Sequence, residues 1–166
     1  HIVVCQNYCV NLRNISDMTD IPALNLPAAA PDIRMMAEYK EVYDPLRRRW
    51  VALTPEEWVR QHFVAWLTGA LGYPASLMAN EVGLRLNGTL RRCDTIIYDR
   101  SLRPLVVVEY KAPSVTISQR VFDQIARYNL VLRARALMVS NGLLHYCCIY
   151  CPDGTYRFLS EVPSYG

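Results

Sequence analysis

Glu109 and Lys111 stand two residues apart at the close of the segment Leu105–Tyr110, whose Val106-Val107-Val108 run is continuously apolar. In an extended strand side chains alternate between faces, so Glu109 and Lys111 share one face and Tyr110 takes the other. A carboxylate at the end of a buried strand is costly unless it is paired or coordinates a cation. Asp94 lies early in the preceding β-prone segment, Cys93–Tyr98, just after Arg91-Arg92. If the two segments pair through a turn at Asp99–Arg103, Asp94 comes opposite residues 107–109. Two carboxylates and an ammonium then converge. All-oxygen ligands with retained waters suit Mg²⁺, and such an ion can polarise a phosphoryl oxygen and stabilise a leaving oxygen. Lys111 would orient the attacking water or offset charge in the transition state. The chemistry that fits is phosphodiester hydrolysis.

The elements that must position these groups are legible from local signals. Thr54-Pro55-Glu56-Glu57 predicts a helix start, with Thr54 as cap, Pro55 at the first helical position and Glu57 completing a capping box. That helix carries Trp58, Phe63, Trp66 and Leu67 as core anchors and ends near Gly69–Gly72. Glu81–Leu86 alternates as a strand, and Asn87-Gly88 predicts a hairpin turn into Cys93–Tyr98. The unbroken valines predict a central strand buried on both faces. Ile117–Leu132 repeats Val121, Ile125, Tyr128 and Leu132 at helical spacing. Ala136–Ser140, Leu143–Tyr150 and Tyr156–Leu159 are further strands, separated by Asn141-Gly142 and Asp153-Gly154 turns. Upstream, Met35–Tyr43 and Arg48–Leu53 are β-prone runs around an Asp44-Pro45-Leu46-Arg47 turn. The order helix, three strands, helix, strand, with strands added at both ends, predicts an α/β (α+β) fold with a central mixed sheet flanked by helices.

The 166 residues suit one domain. Residues 32–166 read as that domain and 1–31 as an N-terminal extension, Pro/Ala-rich and extended from Asn25 to Pro31. Residues 1–17 precede Met18 and read as vector-derived or as translated from upstream of the true start. No apolar run is long enough for a membrane span. No signal-peptide pattern is present either, so the expected location is the cytoplasm. No Gly-rich phosphate loop is present, which argues against an ATP-driven motor. The net charge is +3, but 16 of the 18 basic residues are Arg, clustered at Arg47-Arg48-Arg49 and Arg91-Arg92. Arg forks suit phosphate, so these five are candidate phosphate contacts, with solvated turn and strand-edge charges as the plainer reading; a net charge of +3 is far from that of a dedicated nucleic-acid binder. The six cysteines include one Cys-x-x-Cys, Cys148 to Cys151, which does not make a zinc site and reads as reduced thiols.

With those residues in view, the sequence resembles the PD-(D/E)xK nuclease superfamily, and in particular stand-alone relatives of the N-terminal domain of type I restriction enzyme R subunits. The resemblance runs from about Tyr43 to Leu159. Its carriers are Leu53–Gln61, Asp94, Glu109-Tyr110-Lys111-Ala112-Pro113 and Phe122–Tyr128. It implies an αβββαβ restriction-endonuclease-like core in a bacterial or phage protein, Mg²⁺ or Mn²⁺ dependence and DNA cleavage. Asp94 and Glu109 would then be metal ligands as well as catalytic, Lys111 and Gln124 catalytic, with Gln124 supporting the attacking water or the substrate. Gln124 and Tyr128 resemble the Gln-x-x-x-Tyr helix of RecB-like members, Tyr128 as an accessory residue that core packing explains nearly as well. Glu57 falls where many members carry an acidic residue on the first helix, though its capping role already explains it. Implied partners are DNA, other restriction-system subunits or a second copy of the chain. Cys93 stands where the motif's name places Pro, and the R subunit's motor has no counterpart in these residues. Glu81, at an expected strand start, reads as an exposed strand-end charge with a rival role as an acidic ligand. Two other readings remain open: a catalytically silent DNA-binding or protein-docking module, and a phosphoesterase or RNase using the same groups.

Overall fold

Alternating apolar runs, two amphipathic helices and tight turns assemble here into two sheets. The computed structural model describes residues 22–166. The expectations for residues 1–17, which include two of the six cysteines, Cys5 and Cys9, lie outside the described residues. A small antiparallel sheet is formed by β1 (Ile33–Met35), β2 (Lys40–Asp44) and β3 (Arg49–Ala52). The expected single run over Met35–Tyr43 is thus broken in two, because Met36 N–H bonds the Tyr39 carbonyl and folds the chain back. The turn before β3 forms as read: the Asp44 carboxylate accepts the Leu46 and Arg47 N–H groups at 2.8 and 3.0 Å, the Asx pattern that suits Asp there.

Helix α1 (Pro55–Gly69) then leads, through a 3₁₀ turn at Ala75–Leu77, into β4 (Met78–Leu86), β5 (Thr89–Tyr98) and β6 (Pro104–Tyr110). Helix α2 (Gln119–Leu132) crosses over to β7 (Ala136–Ser140), followed by β8 (His145–Tyr150) and β9 (Tyr156–Phe158). The six strands β4 to β9 lie in sequence order. Every neighbour is antiparallel except β6 and β7, which the α2 crossover makes parallel. The hairpin turn between β4 and β5 has positive φ at both Asn87 and Gly88, as a two-residue hairpin with the right twist requires.

The central position of β6 explains its valines. Val106, Val108 and Tyr110 pack with Val59, Phe63 and Leu67 of α1 on one face. Val107 packs with Val121, Ile125 and Tyr128 of α2 on the other. Cys93, Cys147 and Cys148 are buried free thiols, with burial pushing them up to about 12, 12 and 11. At those values they are unreactive at neutral pH. Among the described residues no helix is long and apolar enough to cross a membrane.

The chain ahead of β1 is anchored as well as extended. Leu26 is buried in the α1-side core, and the Asn25 N–H donates to the Gly142 carbonyl at 2.7 Å. Gly142 has φ +81°, and a Cβ there would lie 2.6 Å from Leu24 Cδ2 and 3.0 Å from Val59 Cγ2. Val59 is fully buried and cannot yield. Gly142→Ala is therefore expected to lower stability by roughly 2–3 kcal/mol, the left-handed backbone and the overpacking together. A fall in the urea midpoint at constant m-value measures it. An unchanged midpoint would mean that residues 22–26 do not dock as described.

Candidate active site

The β5–β6 ladder runs Ile97↔Val106, Ile96↔Val107, Thr95↔Val108, a register that brings Asp94 and Glu109 to facing positions one step further on. There the strands part. The Tyr110 N–H donates to Asp94 Oδ2 at 2.8 Å rather than to a backbone carbonyl. The carboxylate thus takes the place of a ladder bond and is held at the mouth of the gap. Glu109 is 3% exposed. Its Oε1 accepts from Lys111 Nζ at 2.7 Å and from Gln124 Nε2 at 2.8 Å. Gln124 in turn donates to the Tyr128 hydroxyl at 3.3 Å, while Tyr128 also packs in the α2-side core. Asp94, Glu109, Lys111, Gln124 and Tyr128 are thus gathered in one place by β5, β6 and α2.

Helix α1 supplies the other wall, through residues the sequence did not single out. Arg60, 3% exposed, donates to Asp94 Oδ1 at 2.9 Å and lies 2.7 Å from Glu81 Oε1 and 3.1 Å from Glu57 Oε2. Burial works against its charge, but Asp94, Glu57 and Glu81 outweigh that and hold its pKa above the ordinary value. Glu81 is not an exposed strand-end charge. Strand β4 begins three residues earlier, at Met78, which places Glu81 inside the strand, with φ +57° and its side chain 23% exposed. Glu56, one helical turn before Arg60, is raised by partial burial and by Asp94. The available signal was the four-residue spacing of Glu56 and Arg60 on one helical face.

Two further expectations need correcting. Thr54 Oγ1 does accept the Glu57 N–H at 3.0 Å, but the reciprocal half of the capping box is absent, since the Thr54 N–H goes to the Ala52 carbonyl. The Glu57 carboxylate turns inward to Arg47 (2.7 Å), Arg60 (3.1 Å) and Gln61 (2.8 Å). Buried guanidinium partners offer stronger, charge-assisted bonds than a neutral amide. Glu57 therefore reaches the site only through Arg60. Arg47 is likewise held between Asp44 and Glu57, its side chain 13% exposed, so it is not available to a phosphate. Arg48, Arg49, Arg91 and Arg92 are exposed.

The electrostatics are those of crowded acids. Glu109 is pushed up to about 7, first by burial and then by Asp94, against the opposing pull of Lys111. Asp94 is raised by burial and Glu81, against Arg60, the Tyr110 N–H and Lys111. Lys111 is raised: burial opposes its charge, but the bond to Glu109 prevails. It therefore stays an ammonium and serves as a donor, not as a base. Among the described residues no three His, Cys, Asp or Glu side chains are grouped to hold an ion unaided. The donor set nonetheless fits a hard cation, because Mg²⁺ is held by one or two carboxylates with water and substrate phosphate completing its shell. Asp94 and Glu109 would be the carboxylates to supply such a shell.

The domain is thus a two-faced α/β sheet with an Asp, a Glu-x-Lys pair and a Gln-x-x-x-Tyr helix gathered at one strand end. Comparison with known proteins shows its family. The sequence profile of the type I restriction enzyme R protein N terminus (HSDR_N) matches residues 55–163. The chain belongs to that family. A solved fragment described as an HsdR subunit of a type I restriction enzyme from Vibrio vulnificus YJ016 has the same fold, at a TM-score of 0.50 and 18% identity. The match covers 68% of this chain and 24% of that one. No curated protein matches.

Proposed function

We propose that the domain is a metal-dependent DNA endonuclease of the restriction-modification type, hydrolysing phosphodiester bonds at the Asp94–Glu109 gap. The observation that carries the reading is the facing pair itself: two carboxylates at one sheet mouth, with Glu109 raised to about 7 and so in want of a further positive charge. Asp94 and Glu109 would hold Mg²⁺ or Mn²⁺, which when bound polarises the phosphoryl oxygen and lowers the pKa of a bound water. The Lys111 ammonium donates toward the nucleophilic water or the developing phosphorane charge. Gln124 and Tyr128 fix Glu109 and so the geometry of that pair. Family membership supports the restriction context.

The test is cleavage of supercoiled plasmid with Mg²⁺, Mn²⁺ or chelator, for wild type and Lys111→Ala. Metal-dependent nicking that Lys111→Ala loses is the expected result, and equal behaviour of the two proteins would sink the hydrolase reading. One observation favours the silent module instead: Arg60 already occupies Asp94 Oδ1. That reading expects salt-dependent DNA binding without cleavage under any cation.

A further inference from the structure

Strands β4 and β5 continue well past their neighbour. They pair from Met78↔Ile97 to Leu86↔Thr89, whereas β6 accompanies β5 no further than Thr95↔Val108. Residues 82–93 therefore form a two-stranded arm, about 20 Å long at ~3.3 Å per residue. It starts beside Asp94 and ends at the Asn87-Gly88 turn. These twelve residues hold three arginines and no acidic residue.

Cross-strand partners share a face. One face carries Val82, Leu84 and Leu86, which pack with the α2-side core. The other carries Gly83, Arg85, Leu90 and Arg92, all exposed, with Leu90 at 65%. Arg85 has no hydrogen-bond or ion-pair partner among the described residues. Arg92 is 71% exposed and makes one long contact, 3.5 Å to Glu81, which Arg60 joins to Asp94. The open face thus carries two guanidinium groups, Arg92 near the carboxylate gap and Arg85 further out, while Arg91 shares the opposite face with Leu84. An exposed leucine sits between Arg92 and Arg85.

We propose that this β4–β5 arm is a duplex-DNA rail: Arg85 and Arg92 bind successive phosphates of one strand and lead the backbone toward the Asp94–Glu109 gap. A twisted two-stranded ribbon has the width the major groove admits, and Arg matches phosphate as a two-pronged donor. The rail rests on the nuclease reading for its purpose but not for its binding. The two are separable, because binding is measured in chelator where no cutting occurs.

The experiment is fluorescence anisotropy of a labelled duplex of about 20 base pairs across a salt series, with wild type, Arg85→Ala and Arg85→Ala/Arg92→Ala. Each lost phosphate contact lowers the slope of log K against log salt by about 0.9. The double variant is therefore expected to lose roughly 1.8 in slope and on the order of tenfold in affinity at low salt. Arg85 makes no hydrogen bond or ion pair among the described residues, so Arg85→Ala is expected to fold, and it should show half the slope change. Wild-type affinity and slope in both variants, or no duplex binding by wild type, would overturn the rail. Tighter binding of the matching single strand than of the duplex would overturn the duplex assignment. Arm-dependent binding by a protein that cuts no plasmid would keep the rail and remove the nuclease.

Discussion

Arg60→Ala is expected to destabilise the protein by roughly 3–5 kcal/mol, the range for removing one partner of a buried ion pair. The guanidinium is 3% exposed and neutralises Glu57, Glu81 and Asp94 at 2.7–3.1 Å. Truncating it leaves three carboxylates crowded around a cavity. Asp94, already raised by burial and by Glu81 and held down chiefly by Arg60, then holds a proton more tightly, so its folded-state pKa rises further above the unfolded one. A group raised in this way contributes stability at low pH and loses it as pH climbs through its folded value. The deficit should therefore be larger at pH 8 than at pH 5. Urea unfolding at the two pH values measures it. Arg60→Met, which restores volume without charge, should recover only the packing part. A deficit under about 1 kcal/mol at pH 8 would mean that solvent, not Arg60, compensates the acids.

Glu109→Gln is the second. It removes a negative charge from the gap while keeping an oxygen to accept from Lys111 and Gln124. Cleavage under Mg²⁺ should fall roughly 10²–10³-fold, about 3–4 kcal/mol of barrier. Its stability signature is independent of activity. In wild type, Glu109 is raised from 4.5 to about 7 by burial and by Asp94. The folded state then holds this proton more tightly than the unfolded state does. Its contribution is present in full below about 4.5 and fades as pH rises through about 7. In chelator, the variant should lack this fall, a difference on the order of 2 kcal/mol between pH 5 and pH 8. Wild-type cutting by Glu109→Gln would remove Glu109 from the chemistry. Parallel pH profiles would show that its carboxyl is not held protonated.

Local signals in the sequence were enough for most of the scaffold. Thr54-Pro55 starts a helix because a hydroxyl cap and a fixed φ suit that position wherever they occur. Asn87-Gly88 turns a hairpin because both backbones tolerate positive φ. Val106-Val107-Val108 marks an inner strand because no polar side chain serves a solvent face. From the Asp99–Arg103 turn, simple counting brought Asp94 opposite 107–109, and the observed register puts it at 109.

What the sequence determined by itself was therefore the frame and its central trio, Asp94, Glu109 and Lys111, because strand alternation and hairpin register act between near neighbours. The tertiary structure alone decided the surroundings. Glu57, which fits a cap by local sequence and an accessory acid by resemblance, is an internal counter-charge, since its choice between an amide and a guanidinium depends on Arg47 and Arg60 being brought to it. Arg60 stands in the Leu53–Gln61 segment with nothing local to give it a role, and only packing of α1 across the β4–β5 pair sets it between Glu81 and Asp94. Glu81 moved from the rim to the site because β4 starts earlier than its alternation announced. Periodicity tells which face a side chain takes. Which charge it meets there is settled when distant elements dock, because the cost of burying a carboxylate depends on the groups that surround it.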